Sequence, residues 1–120
     1  MDMLEAETRL AAFVSAAGNH SIPVFCGKMP PGVREGAAVN LVSRAADVAG
    51  SLQNCTAEIV FSFFDRGELL AAAGAFSSAL PDYGGDFVSL LPESGFAFRE
   101  ESSGGMIVHQ GTIRVEAAFA

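Results

Sequence analysis

One stretch in the middle of the chain changes its periodicity almost without a pause. Residues 58–80 read EIVFSFFDRGELLAAAGAFSSAL. Up to Phe64 the apolar residues alternate, which is typical of a strand, with one face made by Cys55, Ala57, Ile59, Phe61 and Phe63. After Arg66 they recur at helical spacing, at Leu69, Ala73, Phe76 and Leu80. Because no loop separates the two patterns, the helix must fold straight back over the sheet.

The helix carries its own start and stop signals. Asp65 is predicted to be the N-cap, with Glu68 at the N3 position of a capping box. Pro81 ends the helical pattern. We therefore expect a core between sheet and helices that contains Phe13, Ile59, Phe61, Leu69, Ala73, Phe76, Leu80, Val115 and Ala117.

The remaining elements follow from the same periodicities. A first helix is predicted over residues 2–17, with Glu5, Glu7 and Arg9 on its solvent side. Strands are predicted over 22–27, 37–44, 55–64, 87–91, 96–100 and 106–119, and 87–91 is expected to pair with 96–100 as a hairpin. The order α-β-β-β-α-β-β-β predicts a single α+β domain over 1–120. Its sheet would be mostly antiparallel or mixed, with four to six strands and both helices on one face.

Composition narrows the classes of function. The 120 residues carry a net charge of −7, and their Lys and Arg residues are not clustered. A protein that grips nucleic acid needs a concentrated positive face, so direct nucleic-acid binding is not expected. Acidity also disfavours contact with anionic membranes. The acidic N-terminus and the lack of a long apolar run indicate synthesis and folding in the cytoplasm.

The residues that could support catalysis or metal binding are isolated from one another. His20 and His109 are the two histidines, and Cys26 and Cys55 do not form a metal-ligand spacing. The two cysteines are expected to be buried thiols, and a bridge between neighbouring strands stays open as the alternative. Glu100 and Glu101 are adjacent in a strand, so their side chains should diverge. We therefore expect no catalytic, cofactor-binding or metal-binding residue, and no enzyme.

The element order resembles a known family. An IPVFCGKMPPG strand and loop, a GAAVNLVSR strand, and a strand running into DRGELLAAAGAFSSAL are similar to the tail terminator and minor capsid proteins of long-tailed bacteriophages. The resemblance covers residues 1–92. It implies a structural protein that closes the tail tube as a ring, commonly of six subunits, and meets the head connector. Its partners would be copies of itself and the tube and connector proteins, first in the host bacterial cytoplasm and then in the virion tail.

Two long loops, residues 28–36 and 45–54, are the expected positions for contacts between subunits. From loop position and charge alone, the predicted subunit interface contains Arg34, Glu35, Arg44 and Asp47. Ordinary surface connections are the simpler interpretation of the same loops. The alternative function is a small non-catalytic module of a bacterial regulatory protein that binds a ligand or peptide on a similar helix-on-sheet scaffold.

Overall fold

A computed structural model describes residues 1–18, 22–45, 53–82, 85 and 87–119. The element order confirms the predicted α+β arrangement. The elements are α1 (Met3–Gly18), β1 (Val24–Cys26), β2 (Gly36–Ala45), β3 (Gln53–Phe63), α2 (Arg66–Ala79), β4 (Ser89–Pro92), β5 (Ala97–Ser103) and β6 (Met106–Phe119). A short 3₁₀ turn, Leu80–Asp82, extends α2 through the predicted stop at Pro81.

The six strands form one mixed sheet. Its order is β1-β2-β3-β6-β4, and β5 also pairs with β6. The β1–β2 pair is parallel and the other pairs are antiparallel. The central pair is β3 with β6, which stays in register from Gln53 opposite Phe119 to Phe63 opposite His109.

The predicted hairpin between residues 87–91 and 96–100 is wrong. β4 pairs with residues 115–118 of β6, and β5 pairs with residues 106–112 of the same strand. With 14 residues, β6 is long enough to hold both strands end to end along one edge while β3 occupies the other. The Glu93 N–H donates to the Arg114 carbonyl at 2.8 Å, which keeps the connecting turn beside β6.

Both helices cover one face of the sheet, as predicted. That face is built from the odd-numbered residues of β3 and β6, and the helices contribute Ala6, Leu10 and Val14 from α1 and Leu69, Ala72 and Phe76 from α2. Of the predicted core, every member is buried except Phe13, which is half-buried and packs on the Phe76 ring with centroids 5.6 Å apart. Phe61 contacts Phe76 and Phe96 at centroid distances of 6.0 and 5.9 Å.

Glu7 does not lie on the solvent side of α1 as predicted. Its Oε2 accepts a hydrogen bond from the Leu41 N–H at 3.1 Å. The register of β2 against β3 shifts between Leu41 and Ser43, which marks a β-bulge. A bulge interrupts the ladder locally, and Glu7 supplies an acceptor beside that interruption.

The two cysteines differ in their surroundings, and both are free thiols. Cys55 is buried in the core, as expected, and burial raises the pKa of its thiol. Cys26 is exposed, which contradicts the prediction that it is buried. It ends a three-residue strand at the edge of the sheet, where no neighbouring strand covers it.

The N-cap of α2 is confirmed. Asp65 has extended backbone angles and its Oδ2 accepts from the Glu68 N–H at 3.2 Å. We predict that Asp65→Ala lowers the free energy of unfolding by about 1 kcal/mol, because a backbone donor at the helix start loses its partner. Asp65→Asn keeps an acceptor and should lose much less. Urea unfolding of both variants checks this, and equal losses would argue that the cap bond contributes nothing.

The ring cluster gives a second prediction. Phe61→Ala and Phe76→Ala should each cost about 3–5 kcal/mol, since each leaves a cavity in the middle of the core. Val88→Ala is the matched control, because that side chain is 65% exposed and should change stability little. Denaturant midpoints measure all three. A loss below about 1 kcal/mol at both rings would mean that they do not hold sheet and helix together.

Candidate interaction surface

The β5–β6 pair extends beyond the rest of the sheet. The last residue of β3 in register is Phe63, opposite His109, so residues 106–108 pair with β5 alone. Three large apolar side chains are exposed on this ribbon: Phe98 at 51%, Met106 at 52% and Ile107 at 57%. We call this the hairpin end of the sheet. The first turn of α2 lies at the same end, because α2 starts three residues after Phe63.

A groove of about 360 Å³ lies between α2 and the ribbon at the hairpin end. Its lining includes Arg66, Leu69, Leu70, Phe98, Glu100 and His109. Gly111 lies beneath two of these lining side chains, Leu69 and Phe98. A Cβ at that position would lie 3.1 Å from both Leu69 Cδ1 and Phe98 Cε1, so glycine lets these two side chains lie directly on the strand.

The two adjacent carboxylates of the ribbon diverge, as predicted. Glu100 faces the groove, with its Oε1 3.5 Å from Nδ1 of His109. Glu101 lies 3.6 Å from Arg99, whose Nε donates to Gln110 on the other face of the sheet. Arg66, by contrast, has no ion-pair partner among the residues that the structure describes. The groove thus combines three apolar side chains with two arginines, Arg66 and Arg99, and with the Glu100–His109 pair.

The first predicted interface pair, Arg34 and Glu35, lies at the hairpin end on the opposite face of the sheet. The Arg34 carbonyl accepts from the Ser62 hydroxyl at 2.7 Å. A Cβ on Gly104, in the β5–β6 turn, would lie 3.1 Å from Arg34 Nη2. Arg34 and Glu35 are both half-buried. The loop therefore covers Ser62, which is fully buried.

Of the second predicted pair, the structure places Arg44, which lies at the other end of the sheet. Arg44 is the second-last residue of β2, and the bulge places it in register with Cys55. Asp47 lies outside the described residues. Since Gly36 pairs with Ser62 near the hairpin end and Ala45 pairs with Asn54 at the far end, β2 separates Arg34 and Glu35 from Arg44 by nearly its whole length.

Sequence reasoning missed the groove. Its walls come from two segments that are distant in sequence, and they meet only because β5 pairs with β6 beside the start of α2. The available signal was the alternation that places Phe96 and Phe98 on one face of a strand, followed by a glycine, Gly111, in the next strand. This pattern indicates aromatic rings that lie over a strand position without a side chain.

The described part of the chain lacks both metal-binding clusters and helices that could span a membrane. It contains no group of three or more His, Cys, Asp or Glu residues placed to hold a metal ion. Neither helix in the described ranges has the length and apolar character required to cross a membrane.

No protein-family model matches the chain, and no curated protein matches it. Among solved structures, the chain is similar to one from the virion of a native gene transfer agent particle, with 23% sequence identity and a TM-score of 0.36. The match covers 98% of this chain and 89% of that chain. At that identity and TM-score, the similarity carries no conclusion about function.

Gly111, beneath two lining side chains of the groove, generates a prediction. Gly111→Ala should cost about 1–3 kcal/mol, because the new methyl group overlaps the present positions of Leu69 and Phe98. In a Phe98→Ala background the cost should be smaller, since one of the two neighbours is gone. Gly74→Ala, on the open side of α2 with nothing within 4 Å, is the control and should stabilise by about 0.5–1 kcal/mol. Unfolding free energies of the variants measure the coupling, and an identical cost in both backgrounds would contradict it.

Proposed function

We propose that the chain is a structural component of a phage or phage-derived particle, and that it acts there as a tail terminator. In this role, copies of the chain form a ring that caps the tail tube and joins it to the head connector. Support comes from the segments that carry the family resemblance. They fold as consecutive elements: β1 with its Pro-rich loop, β2, and β3 running into the capped α2.

The observation that carries the proposal is that the molecule has two different ends. Its longest dimension is 50 Å, against 27 and 22 Å for the other two. At about 3.3 Å per residue, β6 alone spans about 46 Å, so the long dimension follows the strands. Arg34 and Glu35 lie at one end and Arg44 at the other. Subunits that join through two unlike patches assemble head to tail, and they close into a ring when the rotation per subunit permits.

In this proposal the two predicted pairs of charges face each other between neighbouring subunits. Arg34 and Glu35 of one copy meet Arg44 and Asp47 of the next. Each pair holds one cation and one anion. The arginine of one pair can therefore face the carboxylate of the other, and the reverse. Such charges at the rim of a contact contribute more to orientation and association rate than to affinity.

Net charge sets the conditions for assembly. Each subunit carries −7, so neighbouring copies repel one another at long range. The range of this repulsion is the Debye length, about 30 Å at 0.01 M ionic strength and about 10 Å at 0.1 M. We therefore predict that association strengthens as salt rises from 10 to about 100 mM. Native mass spectrometry and light scattering, over a range of protein concentrations and with isolated tail tubes, test this.

A charge variant separates the interface from the net charge. Glu35→Lys should weaken ring formation, because it breaks the proposed match with Arg44. Glu93→Lys is the matched control, since it changes net charge equally at an exposed residue in the turn after β4. A protein that stays monomeric at high concentration and leaves tubes uncapped would contradict the proposed function.

The groove supports a second candidate, the ligand- or peptide-binding module. Its volume of about 360 Å³ and its mix of Phe98, Leu70 and Arg66 are compatible with a small apolar ligand that bears an anionic group. In that case the protein would remain a monomer or dimer, and a ligand would raise its melting temperature without changing its size. Size in solution therefore distinguishes the two candidates.

A further inference from the structure

The groove at the hairpin end presents exposed apolar side chains beside an arginine that has no ion-pair partner among the described residues. Leu70 is 38% exposed and Phe98 is 51% exposed, and strand alternation places Ile107 on the same face of the ribbon as His109. Arg66 has no ion-pair partner in the described part of the chain. Arg66 therefore offers the groove a cation that can meet a carboxylate, beside Leu70 and Phe98.

The first turn of α1 has the complementary character. Leu4 is 73% exposed, the largest exposure among the large apolar side chains of the described residues. It lies between Asp2 and Glu5, both of them exposed acidic residues. Glu5 is paired with Arg9 at 3.2 Å, but both side chains are about half exposed, and such a pair is weak and easily exchanged.

This turn lies at the opposite end of the molecule from the groove. The Gln53 side chain donates to the Met1 carbonyl at 3.0 Å, and Gln53 is the first residue of β3, opposite Phe119. The groove lies level with Phe61 and Phe63, at the other end of the same strand. The turn and the groove of one copy are therefore too far apart to meet within that copy, and they can meet only between copies.

We propose that the first turn of α1 of a second copy docks in this groove. Leu4 of that copy packs against Leu70 and Phe98, and the carboxylates of Asp2 and Glu5 face Arg66. The inference rests on the proposed head-to-tail assembly and extends it. The proposed match of charged pairs joins the same two ends, and the groove adds a second contact on the helix face. The contact is between unlike patches, as a ring requires.

Disulfide trapping in the full-length chain tests the contact directly. Leu4→Cys and Leu70→Cys are made separately in a Cys26→Ser background, which leaves only the buried Cys55. The two variants are mixed in equal amounts under mild oxidation, and dimers are counted by non-reducing gel and mass spectrometry. Leu91→Cys mixed with Leu70→Cys is the control, because Leu91 is also 59% exposed but lies on β4. The Leu4–Leu70 pair should form dimers at least severalfold faster than the control pair.

A charge exchange tests the role of Arg66. Arg66→Glu should weaken association, and Glu5→Arg mixed with it should restore it. Arg66→Glu is not expected to unfold the protein, because an acidic residue in the first turn of a helix is favoured by the helix dipole. Circular dichroism confirms the fold of each variant before association is measured.

The outcomes separate this inference from the proposed function. Rings that form with trapping at the control rate, and with no effect of Arg66→Glu, would overturn the groove contact and leave the tail-terminator proposal standing. Selective trapping without rings would support the contact and contradict the ring. Trapping at the control rate in a protein that stays monomeric on tail tubes would contradict both.

Discussion

The pairing of β3 with β6 is the contact on which the rest of the structure depends. It runs without a register shift over the full length of β3, and it places Ile59 beside Ile113 and Ala57 beside Val115 on the face that the helices cover. A one-residue slip would turn every one of these side chains to the other face, so the buried face fixes the register. β2 attaches to one edge of this pair, and β4 and β5 share the other.

The difference in length between the two central strands creates the hairpin end. β6 has 14 residues and β3 has 11, so β6 continues past Phe63 with β5 as its one remaining partner there. The short junction at Asp65 brings the start of α2 to the same place. The groove lies between this exposed ribbon and the start of α2. Gly111 lets Phe98 and Leu69, two of the lining side chains, lie close to the strand. The candidate surface is therefore a consequence of strand length and of one tight junction.

Both proposed contacts between subunits require that the two ends of the folded molecule differ. A subunit that repels its copies through a net charge of −7 needs local matches to associate, and these matches must join unlike patches if a ring is to close. Arg34, Glu35 and the groove lie at the hairpin end, and Arg44 and the first turn of α1 lie at the other. Contacts of this kind suit a protein that assembles where a template raises the local concentration of subunits, as the end of a tail tube would.

The sequence by itself determined the elements whose signals are local. The change from a two-residue to a helical period, the N-cap at Asp65, and the apolar faces that contain Phe61 in β3 and Phe76 in α2 all depend on neighbours within a few residues. The tertiary structure alone decided which strands pair, because a segment such as 87–91 alternates equally well beside β5 or beside β6. The arrangement of the paired strands has four consequences. They are the burial of Ser62, the turn of Glu7 toward Leu41, the exposure of Cys26 and the groove. Each of them depends on a segment distant in the chain, and local periodicity carries no information about such a contact.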